Sequence, residues 1–190
     1  MNIVLASLSP RRRELMEMFG VKNLLVIPAK GEERMNPELG PGENVVALSR
    51  AKAEEVAHGR PEDDVVIAAD TVVELDGEIL GKPRSEEDAK KMLRMLSGRE
   101  HHVFTGVTVI KGKNVISEAE RSTVRFRELS EDEIDRYVAS GEPMDKAGAY
   151  GAQGKASLFV SGIDGDFFNV MGLPLCTLGL ILKKLGVELL

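Results

Sequence analysis

Val65-Val66-Ile67-Ala68-Ala69-Asp70-Thr71-Val72-Val73-Glu74-Leu75-Asp76-Gly77-Glu78-Ile79-Leu80 is the stretch that decides the fold of this chain. Val65 to Ala69 is an unbroken apolar run, the pattern of a strand covered on both faces. Asp70 follows at the expected end of that strand. Asp76-Gly77 then separates Val72–Leu75 from Glu78–Leu80, a strong two-residue hairpin signal. A strand covered on both faces implies helices packed on a sheet, and a hairpin requires an antiparallel pair. The fold class is therefore α/β with a mixed sheet.

Outward from this centre, helices and strands alternate. Ile3 to Ala6 is a short apolar run, read as a buried strand. Ser9-Pro10 suits a helix start, because serine can cap free amides and proline at the first position loses no hydrogen bond. Leu15, Met16 and Phe19 give that helix an apolar face, and Gly20 can stop it. A strand is expected over 24–27, a loop over 32–42 and a helix over 43–57 carrying Val45, Leu48 and Val56. Ser85 with Asp88 and Ser130 with Glu133 resemble capping boxes. They open helices expected to end at Ser97-Gly98 and at Gly141. Strands are expected near 102–110 and 115–127, joined by a second hairpin at 111–114. Residues 142–156 read as irregular. Further strands are expected near 157–161 and 166–170, and a last helix from Pro174 to Leu185, followed by an apolar Leu189-Leu190.

The chain has 190 residues, 43% of them hydrophobic and 29% charged, values of a globular protein. That length fits one domain over 1–190, or one α/β body with a smaller lobe. A net charge of -6 argues against nucleic-acid binding by bulk electrostatics. No apolar run approaches the roughly 18 residues that a membrane span needs, and the order of charge at the N-terminus is not that of a signal peptide. Cys176 is the single cysteine, so no disulfide can form within one chain, and its leucine neighbours suggest a buried thiol. These features describe a protein of a reducing, cytoplasmic compartment.

Several loops could carry chemistry. Ser7-Leu8-Ser9-Pro10-Arg11-Arg12-Arg13 follows a strand and opens a helix, whose outward amides favour anions. Hydroxyls and guanidinium groups added there make a phosphate cradle. Asp70 could activate water or hold a divalent metal, and Thr71 beside it could bond a ligand. Lys82 sits on a stiff Gly81-Lys82-Pro83 loop that lacks the glycines of a Walker loop. The stretch Gly141 to Gly154 brings Lys146, Tyr150 and Gln153 into a glycine-rich segment, where Gln153 has the donor and acceptor needed to read a base edge. Glu33 could help bind a metal, and Lys52 could reach a phosphate from its helix. Taken alone, Asp70, Lys82, Glu33 and Lys52 read first as solvated charges or turn residues, and the arginine run and the glycine-rich stretch read as well as surface turns. His101 and His102 have no companions at metal-ligand spacing and read as structural or solvent-facing. An acidic chain whose candidate loops all carry Arg or Lys suits a small polyanion better than a long nucleic acid.

Six motifs occur together and cover nearly the whole chain. They are Leu5-Ala6-Ser7 with Ser9-Pro10-Arg11-Arg12; Ala69-Asp70-Thr71-Val72-Val73; Gly81-Lys82-Pro83; Leu96-Ser97-Gly98 with Thr105-Gly106-Val107; Ser140-Gly141-Glu142-Pro143 through Gly154; and Asn169-Val170-Met171-Gly172-Leu173-Pro174. In this order they resemble the Maf family. The resemblance implies an elongated mixed sheet flanked by helices, similar to inosine-triphosphate pyrophosphatases, with two lobes around a nucleotide-binding cleft. It implies hydrolysis of a nucleoside triphosphate between the α and β phosphates with a divalent cation, Mg²⁺ or Mn²⁺, and a homodimer. Asp70 matches the family's proton acceptor. Ser7, Arg11, Arg12, Glu33, Lys52 and Lys82 match positions lining the phosphate and metal site, with Glu33 and Asp70 as metal ligands. Arg11, Thr71 and Gln153 match the branch acting on dTTP and UTP. Leu8 and Ala152 depart from the family pattern, where a small residue and an isoleucine are more usual. The alternatives are a 7-methyl-GTP pyrophosphatase and a nucleotide-binding regulator of septum formation.

Overall fold

A computed structural model describes residues 1–18, 20–21 and 23–188, so the expected roles of Phe19 and of Leu189-Leu190 lie outside the described residues. The elements are β1 (Ile3–Leu5), α1 (Pro10–Met18), β2 (Leu24–Val26), α2 (Pro41–Ala57), β3 (Val65–Leu75), β4 (Glu78–Leu80), α3 (Glu86–Leu96), β5 (Glu100–Lys111), β6 (Asn114–Phe126), α4 (Glu131–Ala139), β7 (Val160–Asp164), α5 (Phe167–Met171) and α6 (Leu175–Lys184). Short 3-10 turns cover Glu142–Asp145, Ala147–Ala149 and Lys155–Leu158. The strands form a seven-stranded sheet in the order β2-β1-β3-β5-β6-β7, with β4 on β3. Pairing of β1 with β2 and β3 is parallel, whereas β3–β4 and β6–β7 are antiparallel. The class is thus the expected mixed α/β.

The chain divides into two compact units. The first comprises Met1–Asp70, Thr105–Glu120 and Gly172–Leu190; the second comprises Thr71–Phe104 and Arg121–Met171. In the first unit, Val66 and Ala68 of β3 pack with Val4, Ala6 and Ile110 against Ala53 and Val56 of α2. The second has a core of Leu93 and Leu96 from α3, Ile134, Tyr137 and Val138 from α4, and Phe126, Tyr150 and Phe159.

Local chemistry explains the elements that match expectation. Asp76 and Gly77 both have positive φ, 52° and 86°, as the tight primed hairpin turn requires. The Ser130 hydroxyl accepts the Glu133 amide while the Glu133 carboxylate accepts the Ser130 amide, a complete capping box. Ser85 caps the amide of Asp88, but the Asp88 carboxylate bonds Arg84 rather than Ser85.

Four expectations need correction. Asp70 does not end its strand; β3 continues unbroken to Leu75. The strand expected over 166–170 is helix α5, because the Asp166 carboxylate accepts the Phe168 amide at 2.7 Å and turns the chain. The strand expected over 157–161 begins later, at Val160, after a 3-10 turn. Cys176 is exposed, not buried. The apolar stripe of α6 is Leu175, Leu178, Ile181 and Leu182, and a residue one step along a helix turns about 100° away from its neighbour.

His101 is structural, as expected. It is buried, its Nε2 meets the Tyr150 hydroxyl at 2.7 Å, and its ring packs edge-on against Phe126. Burial, with a smaller push from His102, lowers its pKa to about 3, so the ring is neutral. Among the described residues no helix is long and apolar enough to cross a membrane.

Candidate active site

The residues expected from the sequence to cradle phosphate lie where β1 gives way to α1. The Ser7 hydroxyl accepts the Ser9 amide and Arg12 Nη1, each at 3.2 Å. Arg12 Nε donates to the Gly172 carbonyl at 2.7 Å. The guanidinium is therefore held from two directions beside the open end of a helix, where backbone amides favour an anion. Burial pulls the Arg12 pKa below its usual value, and the nearby Asp70 and Glu33 charges partly restore it while Arg11 opposes. Arg11 is half-buried on the same first turn of α1.

Alternation along β3 and the helical period of α2 bring two candidates into contact. Val66 and Ala68 face α2, so Asp70, two residues further, faces it as well. On α2, Val45, Ser49, Lys52 and Val56 follow the three-and-four spacing of one helix face. Lys52 meets Asp70 Oδ1 at 2.5 Å and Glu33 Oε1 at 2.8 Å. The Asp70 and Lys52 side chains are 9% and 13% exposed, so this charge pair is shielded from solvent, whereas Glu33 is 53% exposed. Removing the Lys52 charge takes a bonded cation from the shielded Asp70, whereas removing the Asp70 charge leaves Lys52 its contact with Glu33.

The depth of α2 is set by Gly106 on β5. A Cβ there would lie 2.3 Å from the Val45 carbonyl oxygen, so only glycine lets the helix backbone sit this close. The Ser49 hydroxyl meets Thr108 Oγ1 at 2.8 Å, and Thr108 meets Ser117 at 2.8 Å, which fixes the helix along the strand. Lys52 stands three residues beyond Ser49, one turn of the same face.

Thr71, Lys82, Lys146 and Gln153 belong to the second unit. Lys82 and Gln153 are exposed. The Gly148 amide donates to the Gly81 carbonyl at 3.0 Å, which ties the Lys82 loop to the glycine-rich stretch. Lys146 Nζ donates to the Glu142 carbonyl at 2.5 Å and to Asp145 at 2.6 Å.

Two contributors escaped sequence reading. The Gly172 carbonyl orients Arg12 from 160 positions away, and no local pattern announces such a contact. Glu142 organises the segment that carries Gln153: its carboxylate accepts the Tyr137 hydroxyl at 3.1 Å and the Lys155 amide at 3.0 Å. Tyr137 in turn accepts the Gly151 amide, and a Cβ on Gly154 would lie 2.1 Å from Glu142 Oε1. Burial first, and the Glu142 charge second, raise the Tyr137 pKa, so the phenol remains a donor. Glu142→Ala is expected to cost about 1–3 kcal/mol by stranding these donors. Thermal unfolding and faster proteolysis within residues 151–155 would register it.

Among the described residues no group of three or more His, Cys, Asp or Glu could hold a metal ion. Asp70 and Glu33 both contact the Lys52 ammonium. Paired carboxylate oxygens are the donors Mg²⁺ takes when phosphates and water complete its shell.

The family model described as Maf-like protein matches residues 2–185. A protein of Agathobacter rectalis named dTTP/UTP pyrophosphatase is 48% identical, over 98% of this chain and 98% of its own length. One of the same name from Caldicellulosiruptor saccharolyticus is 45% identical, over 99% and 96%. Among solved structures, the Staphylococcus aureus Ham1 protein shares the fold, with a TM-score of 0.54 and 17% identity over 97% of this chain and 99% of that one. A match along nearly the whole length, joined to relatives near half identity, places this chain in the Maf-like protein family.

Proposed function

We propose that the protein hydrolyses dTTP and UTP to the nucleoside monophosphate and pyrophosphate. Full-length relatives at 48% and 45% identity bear the name of that activity. The structural observation that carries the reading is the Lys52 ammonium seated between Asp70 and Glu33, with Arg12 nearby. It supports the reading because cations suited to a phosphate chain stand beside carboxylates suited to holding a divalent ion or taking a proton.

Arg11, Arg12 and Lys52 bind phosphate oxygens, aided by the amides that follow Ser7. Asp70 Oδ2 takes the proton of the attacking water. A new bond from that water oxygen to the α phosphorus replaces its bond to the bridging oxygen of the β phosphate, and pyrophosphate departs. Asp70 and Glu33 are the residues that would hold Mg²⁺ or Mn²⁺, which would neutralise charge on the phosphate chain and the leaving pyrophosphate; a carboxylate engaged with the ion is a weaker base, so the two roles of Asp70 compete. For the second unit, the reading keeps what the resemblance implies: Lys82 and Lys146 serve the phosphates, and Thr71 and Gln153 select a uracil or thymine ring. A homodimer belongs to the same reading.

A panel of dTTP, UTP, CTP, GTP and 7-methyl-GTP with Mg²⁺, resolved by anion-exchange chromatography, tests it. Monophosphate and pyrophosphate are expected from dTTP and UTP. Turnover of 7-methyl-GTP alone would overturn the base selection assigned to Arg11, Thr71 and Gln153. Diphosphate and orthophosphate as products would refute attack at the α phosphorus.

A further inference from the structure

Lys52 occupies the place where a metal would be most useful. Its ammonium touches both candidate metal ligands, Asp70 at 2.5 Å and Glu33 at 2.8 Å. We propose that Lys52 stands in for the divalent cation while no nucleotide is bound, so that metal and nucleotide enter as a coupled pair. The inference rests on the assignment of Asp70 and Glu33 as metal ligands made above.

Three observations support it. Asp70 is only 6% exposed, and a buried carboxylate that stays charged is costly without a cation beside it, whichever cation that is. An ammonium already bonded to Asp70 Oδ1 and Glu33 Oε1 repels a divalent ion drawn to the same oxygens, which weakens metal binding for as long as Lys52 stays there. Finally, the described residues include no cluster of three or more acidic or imidazole ligands, so two carboxylates alone must compete with Lys52 for a free metal ion.

A nucleotide changes the balance. Its phosphates supply the oxygens that the protein lacks and give Lys52 a new anionic partner. Lysine suits the exchange, since its flexible four-carbon stem and three rotatable donors let the ammonium move from carboxylate to phosphate without rebuilding the backbone. By linkage, the factor by which nucleotide tightens metal binding equals the factor by which metal tightens nucleotide binding.

Mn²⁺ binding to the full-length protein, followed by electron paramagnetic resonance of the free ion, tests the proposal without turnover. Wild type is expected to bind Mn²⁺ weakly alone and at least about tenfold more tightly with an α,β-methylene analogue of UTP, within the usual range of coupling between ligands. Lys52→Met should bind Mn²⁺ alone about tenfold or more tighter than wild type, and the analogue should add less. Lys52→Arg, which keeps a cation there, should behave as wild type. Lys52→Gln provides a second neutral side chain should the methionine variant fail to fold. Equal Mn²⁺ affinity in wild type and the neutral variants without nucleotide would overturn the proposal, as would wild-type Mn²⁺ binding that the analogue leaves unchanged. A wrong substrate assignment would surface in the nucleotide panel and leave the metal-alone comparison intact.

Discussion

Asp70→Asn is expected to lower turnover of dTTP and UTP by about 10²–10⁴-fold, the usual contribution of a positioned acid or base, while the protein still folds. Asparagine has nearly the same shape and fits a site that is 6% exposed. It lacks the charge that accepts a proton from water and balances Lys52. The amide can still receive a hydrogen bond, and Lys52 keeps Glu33, so the stability cost should stay near 1–3 kcal/mol. At this chain length that lowers Tm by several degrees. Circular dichroism and a cooperative melt would establish the fold, and the chromatographic assay would give the rate. Full turnover in a folded variant would remove Asp70 from the chemistry. Asp135→Asn is the matching control, since it also breaks a carboxylate–lysine pair, that with Lys90, but at an exposed position. Its turnover should equal that of the parent.

Much of the fold was legible because local chemistry and tertiary packing agree. The Val65–Ala69 run, the Asp76-Gly77 turn and the Ser130–Glu133 box each specify one conformation within a few residues. Periodicity also contains the Lys52–Asp70 contact. Strand alternation puts Asp70 on the face of Val66 and Ala68, and helix spacing puts Lys52 on the face of Ser49 and Val56. What it does not contain is that these two faces meet, which only sheet order decides. The errors share a cause. Short apolar runs such as Leu158-Phe159-Val160 and Phe167-Phe168 fit a strand or a single helical turn equally, and distant contacts select between them. Phe159 turns inward to an aromatic group with Phe126 and Tyr137, and α5 is anchored where Asn169 donates to the Val103 carbonyl and to Ser122. Arg12 found its position through Gly172, and Gln153 its loop through Glu142, by contacts that no local pattern contains.

Gly106→Ala is expected to have the largest structural effect of any single methyl group added to this site. The new Cβ would meet the Val45 carbonyl oxygen at 2.3 Å, its carbonyl carbon at 2.4 Å and the Val46 nitrogen at 2.7 Å. All three are backbone atoms of α2, so no side-chain rotation relieves the clash and the helix itself must move. Overpacking of this kind costs about 1–3 kcal/mol and occasionally more. Here the upper end applies, because shifting α2 also strains the buried Ser49–Thr108 hydrogen bond. Tm should fall by about 6–12 °C for a loss near 3 kcal/mol. Gly179→Ala gives the contrast: it lies on the exposed side of α6 with nothing within 4 Å of the added atom. It should raise stability by up to about 1 kcal/mol through helix propensity. The two variants add the same atom, so opposite shifts would isolate close approach as the cause. Because Lys52 rides on α2, a displaced helix should also raise KM for the nucleotide and weaken its linkage to metal. An unchanged melt and unchanged KM in Gly106→Ala would mean that β5 gives way more readily than the helix, and that α2 is not what fixes Lys52 against Asp70.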